Sequence, residues 1–208
     1  MKIVLLGAPG SGKGTLAQQI SQDFALPQIS TGDILRAEIK KGSECGKIAD
    51  NLLSKGEIVP DDLIIKLLKQ RLKNIDCANG YILDGFPRTL QQAKALSKIT
   101  QIDFVFFLET PVKTIIARLE TRRICEKCGR VHNLRLGSKD SCENCGGNLI
   151  QREDDKPDIV ERRFEVFEKN ISPLKEYYKP VMIYVESKDS IEQTYAPVKK
   201  VLEKKVEK

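Results

Sequence analysis

Lys2-Ile3-Val4-Leu5-Leu6-Gly7-Ala8-Pro9-Gly10-Ser11-Gly12-Lys13-Gly14-Thr15 is the stretch that decides the fold. Lys2 to Leu6 is a short apolar run stopped by Gly7, as expected of a parallel strand buried on both faces. Gly7 to Lys13 matches G-x4-G-K, and Lys13 to Phe24 carries a helical period. Strand, glycine loop and helix together are an apparatus for holding phosphate. Glycines let backbone N–H groups turn inward, the helix N-terminus adds the positive end of its dipole, and the lysine reaches the outer phosphates. A chance glycine-rich turn would not carry both flanks. The spacing predicts a nucleoside triphosphate site built from Gly10, Ser11, Gly12, Lys13, Gly14 and Thr15. Gly14 stands where the general pattern has a hydroxyl residue, so the hydroxyl arrives one position late, at Thr15. That argues against direct magnesium ligation by Thr15.

Working outward, three more apolar runs resemble the first: Tyr81–Asp84, Phe104–Leu108 and Val181–Val185. Helical periods fill the intervals, over Lys13–Phe24, Asp61–Leu72 after Pro60, Thr89–Leu96, Val112–Arg123, Ile159 to about Tyr178, and Val198 onwards. Strands alternating with helices predict an α/β fold, a parallel sheet covered on both faces in three α/β/α layers. Two segments break the rhythm. Ser30–Val59 is helical, polar and too long for a simple crossover. Ile124–Asn148 is rich in Cys, Gly, Asn and charge, with little apolar periodicity, and reads as a small metal-stapled insertion.

Six cysteines divide as four plus two. Cys125, Cys128, Cys142 and Cys145 are spaced C-x2-C-x13-C-x2-C, a double knuckle whose four thiolates would close a tetrahedral shell. The expected metal is zinc, with iron the alternative, and its role structural. His132, the only histidine, is expected to face solvent or ligand, not the metal. Cys45 and Cys77 are expected to be small buried hydrophobes.

The 208 residues are 40% hydrophobic and 31% charged, an ordinary globular balance for one domain with insertions. No run approaches the ~18 apolar residues of a membrane span. The apolar start is too short for a secretory leader and passes straight into the loop, so a cytoplasmic protein is expected. The net charge of +6 is explained most simply by a solvated lysine surface. The arginines are less evenly spread: 118, 122, 123, 130, 135, 152, 162 and 163 fall in one window, which is expected to face a polyanion.

Asp84 closes an apolar strand, where a carboxylate meets the magnesium of a triphosphate directly or through water. A strand-end turn residue would look the same. Gly85-Phe86-Pro87-Arg88 follows at once and puts a guanidinium at the sheet's carboxyl edge, where α/β folds bind ligands. Thr31-Gly32-Asp33 with Arg36 begins a helix and on its own reads as a cap with an exposed arginine.

Taken together, Gly7–Thr15, Gln28–Asp33, Leu83–Arg88, Thr121–Cys125 and Gln151–Asp155 with Arg163 resemble the adenylate kinase family, in its bacterial form with a zinc-bearing lid. The resemblance runs from Met1 to about Tyr178, and Gly14-Thr15 is the form that family uses. It implies ATP + AMP ⇌ 2 ADP with magnesium, on a five-stranded P-loop core. The core is expected over residues 1–29, 60–120 and 156–208, an AMP-binding insertion over 30–59 and a lid over 121–155. By resemblance Gly10–Thr15 hold the ATP phosphates, and Arg122 with Val131 and His132 bring the lid onto ATP. Asp189 is implied as a backbone contact to adenine, although Glu186-Ser187-Lys188-Asp189 replaces the family's usual Asp-Gly turn. AMP falls to Thr31, Arg36, Glu57, Ile58, Val59, Gly85, Phe86, Pro87, Arg88 and Gln92, with Arg152 and Arg163 bridging to the transferred group. Lys13, Asp84, Arg88, Arg122, Arg152 and Arg163 are the implied catalytic set. The family suggests a monomer that takes ATP, AMP and ADP as partners, with neither nucleic acid nor membrane.

Rival readings are a kinase of UMP or CMP and a zinc-ribbon nucleic-acid-binding protein. The second explains the charge but leaves the loop unexplained. It also lacks the aromatic residues that single-strand binding favours, with no Trp and 6% aromatics.

Overall fold

The computed structural model describes residues 1–134 and 141–206. Its centre is a five-stranded, wholly parallel sheet of β1 (Lys2–Gly7), β2 (Gln28–Ser30), β3 (Tyr81–Asp84), β4 (Phe104–Glu109) and β8 (Met182–Glu186). The order is β2-β3-β1-β4-β8, so β1 lies inside the sheet. The chain moves from β1 outward past β3 to β2, then returns across β1 to β4. The crevice at the carboxyl end of β1 is therefore the topological switch point, where such sheets hold ligands.

Alternation along β1 explains the two cores. Ile3 and Leu5 face α1 (Lys13–Phe24) and α8 (Ile191–Val206), in a cluster with Leu16, Ile20, Val198 and Leu202. Val4 and Leu6 face the other way, with Leu35, Ile64, Leu68, Leu96 and Leu174. Those residues come from α2 (Thr31–Lys41), α4 (Asp61–Arg71), α5 (Leu90–Ser97) and α7 (Pro157–Tyr178). Ile3, Val4 and Leu5 are all 0% exposed, and burying each contributes roughly 1.5–3 kcal/mol. A run apolar at every position thus becomes the central strand of a three-layer fold.

Several elements differ from the sequence expectation. β2 was not expected as a strand, because three residues are too few to display a period. α6 (Val112–Thr121) stops two residues short, since Arg122 and Arg123 open β5 (Arg122–Cys125). α8 begins at Ile191, seven residues before Val198, with Pro197 inside it. Cys77 is buried, but Cys45 is only half-buried.

Among the described residues, the window of Cys, Gly and charge and its flanks hold an antiparallel sheet of β6 (Val131–Asn133), β5 and β7 (Leu149–Ile150), in the order β6-β5-β7. The segment at 30–59 is helical, as expected, formed by α2 and α3 (Glu44–Leu53). Gly42 ends α2 in the left-handed region, and Ser43 caps α3 by accepting from the Gly46 N–H at 3.0 Å. No helix among the described residues is long and apolar enough to cross a membrane.

Candidate active site and metal centre

Gly10 to Thr15 lie at the carboxyl end of β1 and in the first turn of α1. The Ser11 carbonyl is braced by three side chains distant in sequence: it accepts from Thr110 Oγ1 at 3.2 Å, Arg118 Nη1 at 3.2 Å and Ser187 Oγ at 3.5 Å. Lys13 Nζ donates to the carbonyls of Gly7 at 2.9 Å and Ala8 at 2.8 Å. Burial depresses the Lys13 ammonium to about 8, and Arg88, Arg163 and Arg122 push the same way against Asp84. Thr15 is exposed. Gly14 faces inward, and a β-carbon there would stand 3.3 Å from Asp84 Oδ2. A residue with a side chain at 14 would press on that carboxylate, which also accepts from Gln28 Nε2 at 3.1 Å.

Arg88 follows the turn after β3. Its Nε donates to the Gly85 carbonyl at 2.9 Å, which also accepts from Thr31 Oγ1 at 2.9 Å. Burial first, and then Arg163, lower its guanidinium to about 10, still charged at neutral pH. Arg152 is lowered to about 10 by burial and by Arg36 and Arg122, and its Nε is a buried nitrogen with no hydrogen-bond partner. Arg163 is lowered by burial against the pull of Asp154. Arg36 pairs with Asp33. Arg88 and Arg152 have no ion-pair partner among the described residues, and such charge in a crevice is costly unless an anion comes to it.

Two of these arginines share one acid. Arg122 donates through Nε to Asp155 Oδ2 at 2.7 Å and through Nη2 to Oδ1. Arg163 Nη1 reaches Asp155 Oδ1 at 3.3 Å and the Asp154 carbonyl at 2.7 Å. Asp155 is 3% exposed. It thereby ties β5 to the first turns of α7.

Beside Arg88 is a recess lined by Thr31, Ile58, Val59, Gly85, Arg88 and Gln92, all six named by the resemblance, and by Leu35, Leu53 and Ile64, which were not. Phe86 is 0% exposed and belongs to the core, and Pro87 is buried beside it. Glu57 is fixed by its backbone N–H, which donates to Leu52 O at 3.0 Å.

The β5–β6 register splits another expected group. Arg122 pairs with Asn133, Arg123 with His132 and Ile124 with Val131. Alternation puts the Val131 side chain on the face of Arg122, and the His132 side chain on the face of Arg123 and Cys125. His132 is 8% exposed, and its Nε2 is a buried nitrogen with no partner.

The arginine window does not act as one surface. Arg118, Arg122, Arg152 and Arg163 turn inward, whereas Arg130 and Arg162 are exposed. Arg135 lies outside the described residues. Arg118 was expected only as one of the arginines facing a polyanion, with no site role of its own. Besides Ser11, it holds Ser187 Oγ at 2.8 Å and the Lys188 carbonyl at 2.9 Å, and the charge of exposed Asp189 acts on it. Partners this far along the chain leave no local signal.

The four cysteines converge. Their sulfurs all lie within 4.8 Å of one another, with Cys125 and Cys145 at 3.4 Å and Cys128 and Cys142 at 3.6 Å. Tetrahedral zinc with Zn–S of ~2.3 Å needs sulfurs about 3.8 Å apart, so the set fits. Both knuckles repeat one backbone pattern. Cys125 N donates to Arg130 O and Gly129 N to Cys125 O; Cys142 N donates to Gly147 O and Gly146 N to Cys142 O. Gly129 (φ 73°) and Gly146 (φ 68°) supply the left-handed residue each needs. The Arg130 backbone N–H, followed by Cys145, draws the Cys128 thiol down to about 6. Cys145 is pushed up to about 12 by Cys125 and Cys128, although the Gly147 N–H pulls it the other way. Thiols this close share protons unless a cation lies among them.

A phosphate loop at a switch point, guanidiniums turned inward and a recess beside Arg88 define a P-loop protein built for phosphoryl transfer. The family model for adenylate kinase matches residues 5–183. An adenylate kinase of Lachnospira eligens is 43% identical over 212 residues, covering 97% of this chain and 100% of the relative. One from Archaeoglobus fulgidus is 42% identical, covering 98% and 99%. One from Fervidobacterium nodosum is 46% identical over 187 residues, 86% of each chain. The chain belongs to the adenylate kinase family and is a phosphotransferase, a nucleoside monophosphate kinase.

Proposed function

We propose that the chain catalyses ATP + AMP ⇌ 2 ADP by direct transfer between two nucleotides held on either side of Arg88. The observation that carries this reading is the double position of Arg88. It lines the recess, and its charge acts on Lys13 of the phosphate loop. In this reading Gly10 to Thr15 take the ATP phosphates, and the recess with Thr31, Arg36, Glu57 to Val59, Gly85 and Gln92 takes AMP. Asp189 lies on the adenine side, next to Arg118.

Transfer of a phosphoryl group needs alignment and charge neutralisation, with no covalent nucleophile. Lys13, Arg88, Arg122, Arg152 and Arg163 surround the transferred group, and one arginine acting there is worth roughly 10³–10⁵ in rate. Magnesium, when bound with ATP, neutralises phosphate charge, and Asp84 at the end of β3 is the carboxylate set to face it, directly or through water. Water is the competing acceptor, so the site must close before transfer. The proposal assigns residues 30–59 and 121–155 as the two closing segments over a core of 1–29, 60–120 and 156–208. Arg122, Val131 and the backbone at His132 come onto ATP. Zinc at Cys125, Cys128, Cys142 and Cys145 stabilises the lid and takes no part in the reaction. A cytoplasmic monomer belongs to the same proposal.

Phosphorus NMR of the protein with Mg²⁺ and ADP alone tests it. ATP and AMP are expected to appear in equal amounts. Free phosphate without ATP would contradict direct transfer.

A further inference from the structure

Gln92 is 1% exposed, lines the recess, and has both ends of its amide engaged. Its Oε1 accepts from the Arg88 backbone N–H at 2.7 Å. Its Nε2 donates to Asp61 Oδ1 at 2.7 Å. The other oxygen of Asp61 accepts from the Thr89 hydroxyl at 3.0 Å, and the Thr89 oxygen in turn accepts from the Gln92 N–H at 3.1 Å. A backbone N–H only donates, and a carboxylate only accepts. The amide ends are therefore not interchangeable: oxygen must meet Arg88 and nitrogen must meet Asp61. What remains for a base is one N–H and one oxygen lone pair, in a fixed order.

We infer that Asp61 is a positioning residue that sets base specificity in the recess by fixing the order of donor and acceptor on Gln92. This rests on the reading of the recess as the acceptor-nucleotide site. The pairing edge of adenine presents an acceptor at N1 and a donor at its 6-amino group. Hypoxanthine presents the reverse, a donor at N1–H and an acceptor at O6. With sugar and phosphate held by the arginines, the base cannot turn over to suit the amide. An amide locked one way accepts one edge and opposes like with like on the other, which is the form of discrimination that binding sites achieve most strongly. Asp61 touches no base. It stands at the start of α4, where its carboxylate also suits the helix dipole.

Asp61→Asn keeps the shape but offers an amide to an amide, so only the Arg88 N–H still opposes the turned orientation of Gln92. The test is kcat/KM for AMP and for inosine monophosphate, with ATP as donor, in the wild type, Asp61→Asn, Gln92→Ala and the double variant. The AMP/IMP ratio is expected to narrow by about tenfold or more in Asp61→Asn, with the KM for ATP unchanged. In the Gln92→Ala background, Asp61→Asn is expected to change the ratio no further. An unchanged ratio in Asp61→Asn overturns the inference, as does an equal narrowing in both backgrounds. If Gln92→Ala itself leaves the ratio untouched, the base-recess reading fails first and separately. Should Asp61→Asn not fold, Thr89→Val releases one oxygen of the same carboxylate and is judged by the same ratio.

Discussion

Gly14 and Asp84 meet so closely that a β-carbon on Gly14 would stand 3.3 Å from Asp84 Oδ2. This contact explains the displaced hydroxyl of the phosphate loop. A serine or threonine at 14 would push on the carboxylate that closes β3 and on its partner Gln28. Gly14 lies within α1, where alanine is favoured over glycine by about 1 kcal/mol. Gly14→Ala is therefore expected to hold or raise the melting temperature while lowering kcat at least several-fold. Calorimetry beside a coupled ADP assay measures both. Unchanged kcat would show that the contact has no bearing on turnover.

Asp155 pairs with Arg122 and Arg163 at once, and Asp154 adds a second negative charge beside Arg163. Removing one partner from a buried ionic cluster costs about 3–5 kcal/mol, because the remaining charges stay buried. Asp155→Ala is expected to destabilise the protein on that scale in urea and to lower kcat more than tenfold, since both guanidiniums lose their bearing. A stable variant with wild-type kcat would leave Asp155 without a role.

Burial lowers the Lys13 ammonium from its ordinary 10.5 to about 8. Between those values the folded protein binds fewer protons than the unfolded chain, so this group favours folding increasingly as pH rises through the window. Triphosphate favours the ammonium form, so ATP binding above pH 8 must draw a proton from solvent. Titration calorimetry in two buffers of different ionisation enthalpy is expected to show net uptake that grows as pH passes 8. Lys13→Arg, charged throughout, is expected to abolish it. No uptake in the wild type would mean that Lys13 is already charged without ATP or does not meet the phosphates.

The cysteine cluster is expected to carry one zinc per chain by elemental analysis. Stripping it with a chelator is expected to lower the melting temperature, and returning zinc to restore it. Equal melting temperatures for demonstrably metal-free and zinc-loaded protein would sink the structural role.

Much of this site was legible in the sequence because its parts are local. The phosphate loop, Leu83–Arg88 and the two knuckles each pack their chemistry into a few neighbouring residues, and each signature survives without knowledge of the fold. What was not legible lies in pairs distant along the chain. Arg118 meets Ser11 across 107 residues, and Asp61 meets Gln92 across 31. Arg118 stands out only as one of a window of arginines, and Asp61 reads as an ordinary acid at a helix start, until the fold brings each partner close. Strand β2 escaped for another reason: three residues cannot show a period, and only pairing with β3 defines them. Pro197 hid the start of α8, because a proline usually ends a helical pattern and here lies inside one.

The central claim is transfer between ATP and AMP. Incubating the protein with Mg-ATP and AMP, UMP, CMP or GMP, each separately, while following ADP and free phosphate, tests it most directly. The expected result is two ADP for each AMP consumed, far slower reaction with the other three acceptors, and almost no free phosphate. Phosphate release matching ADP formation, or UMP or CMP used as readily as AMP, would contradict it.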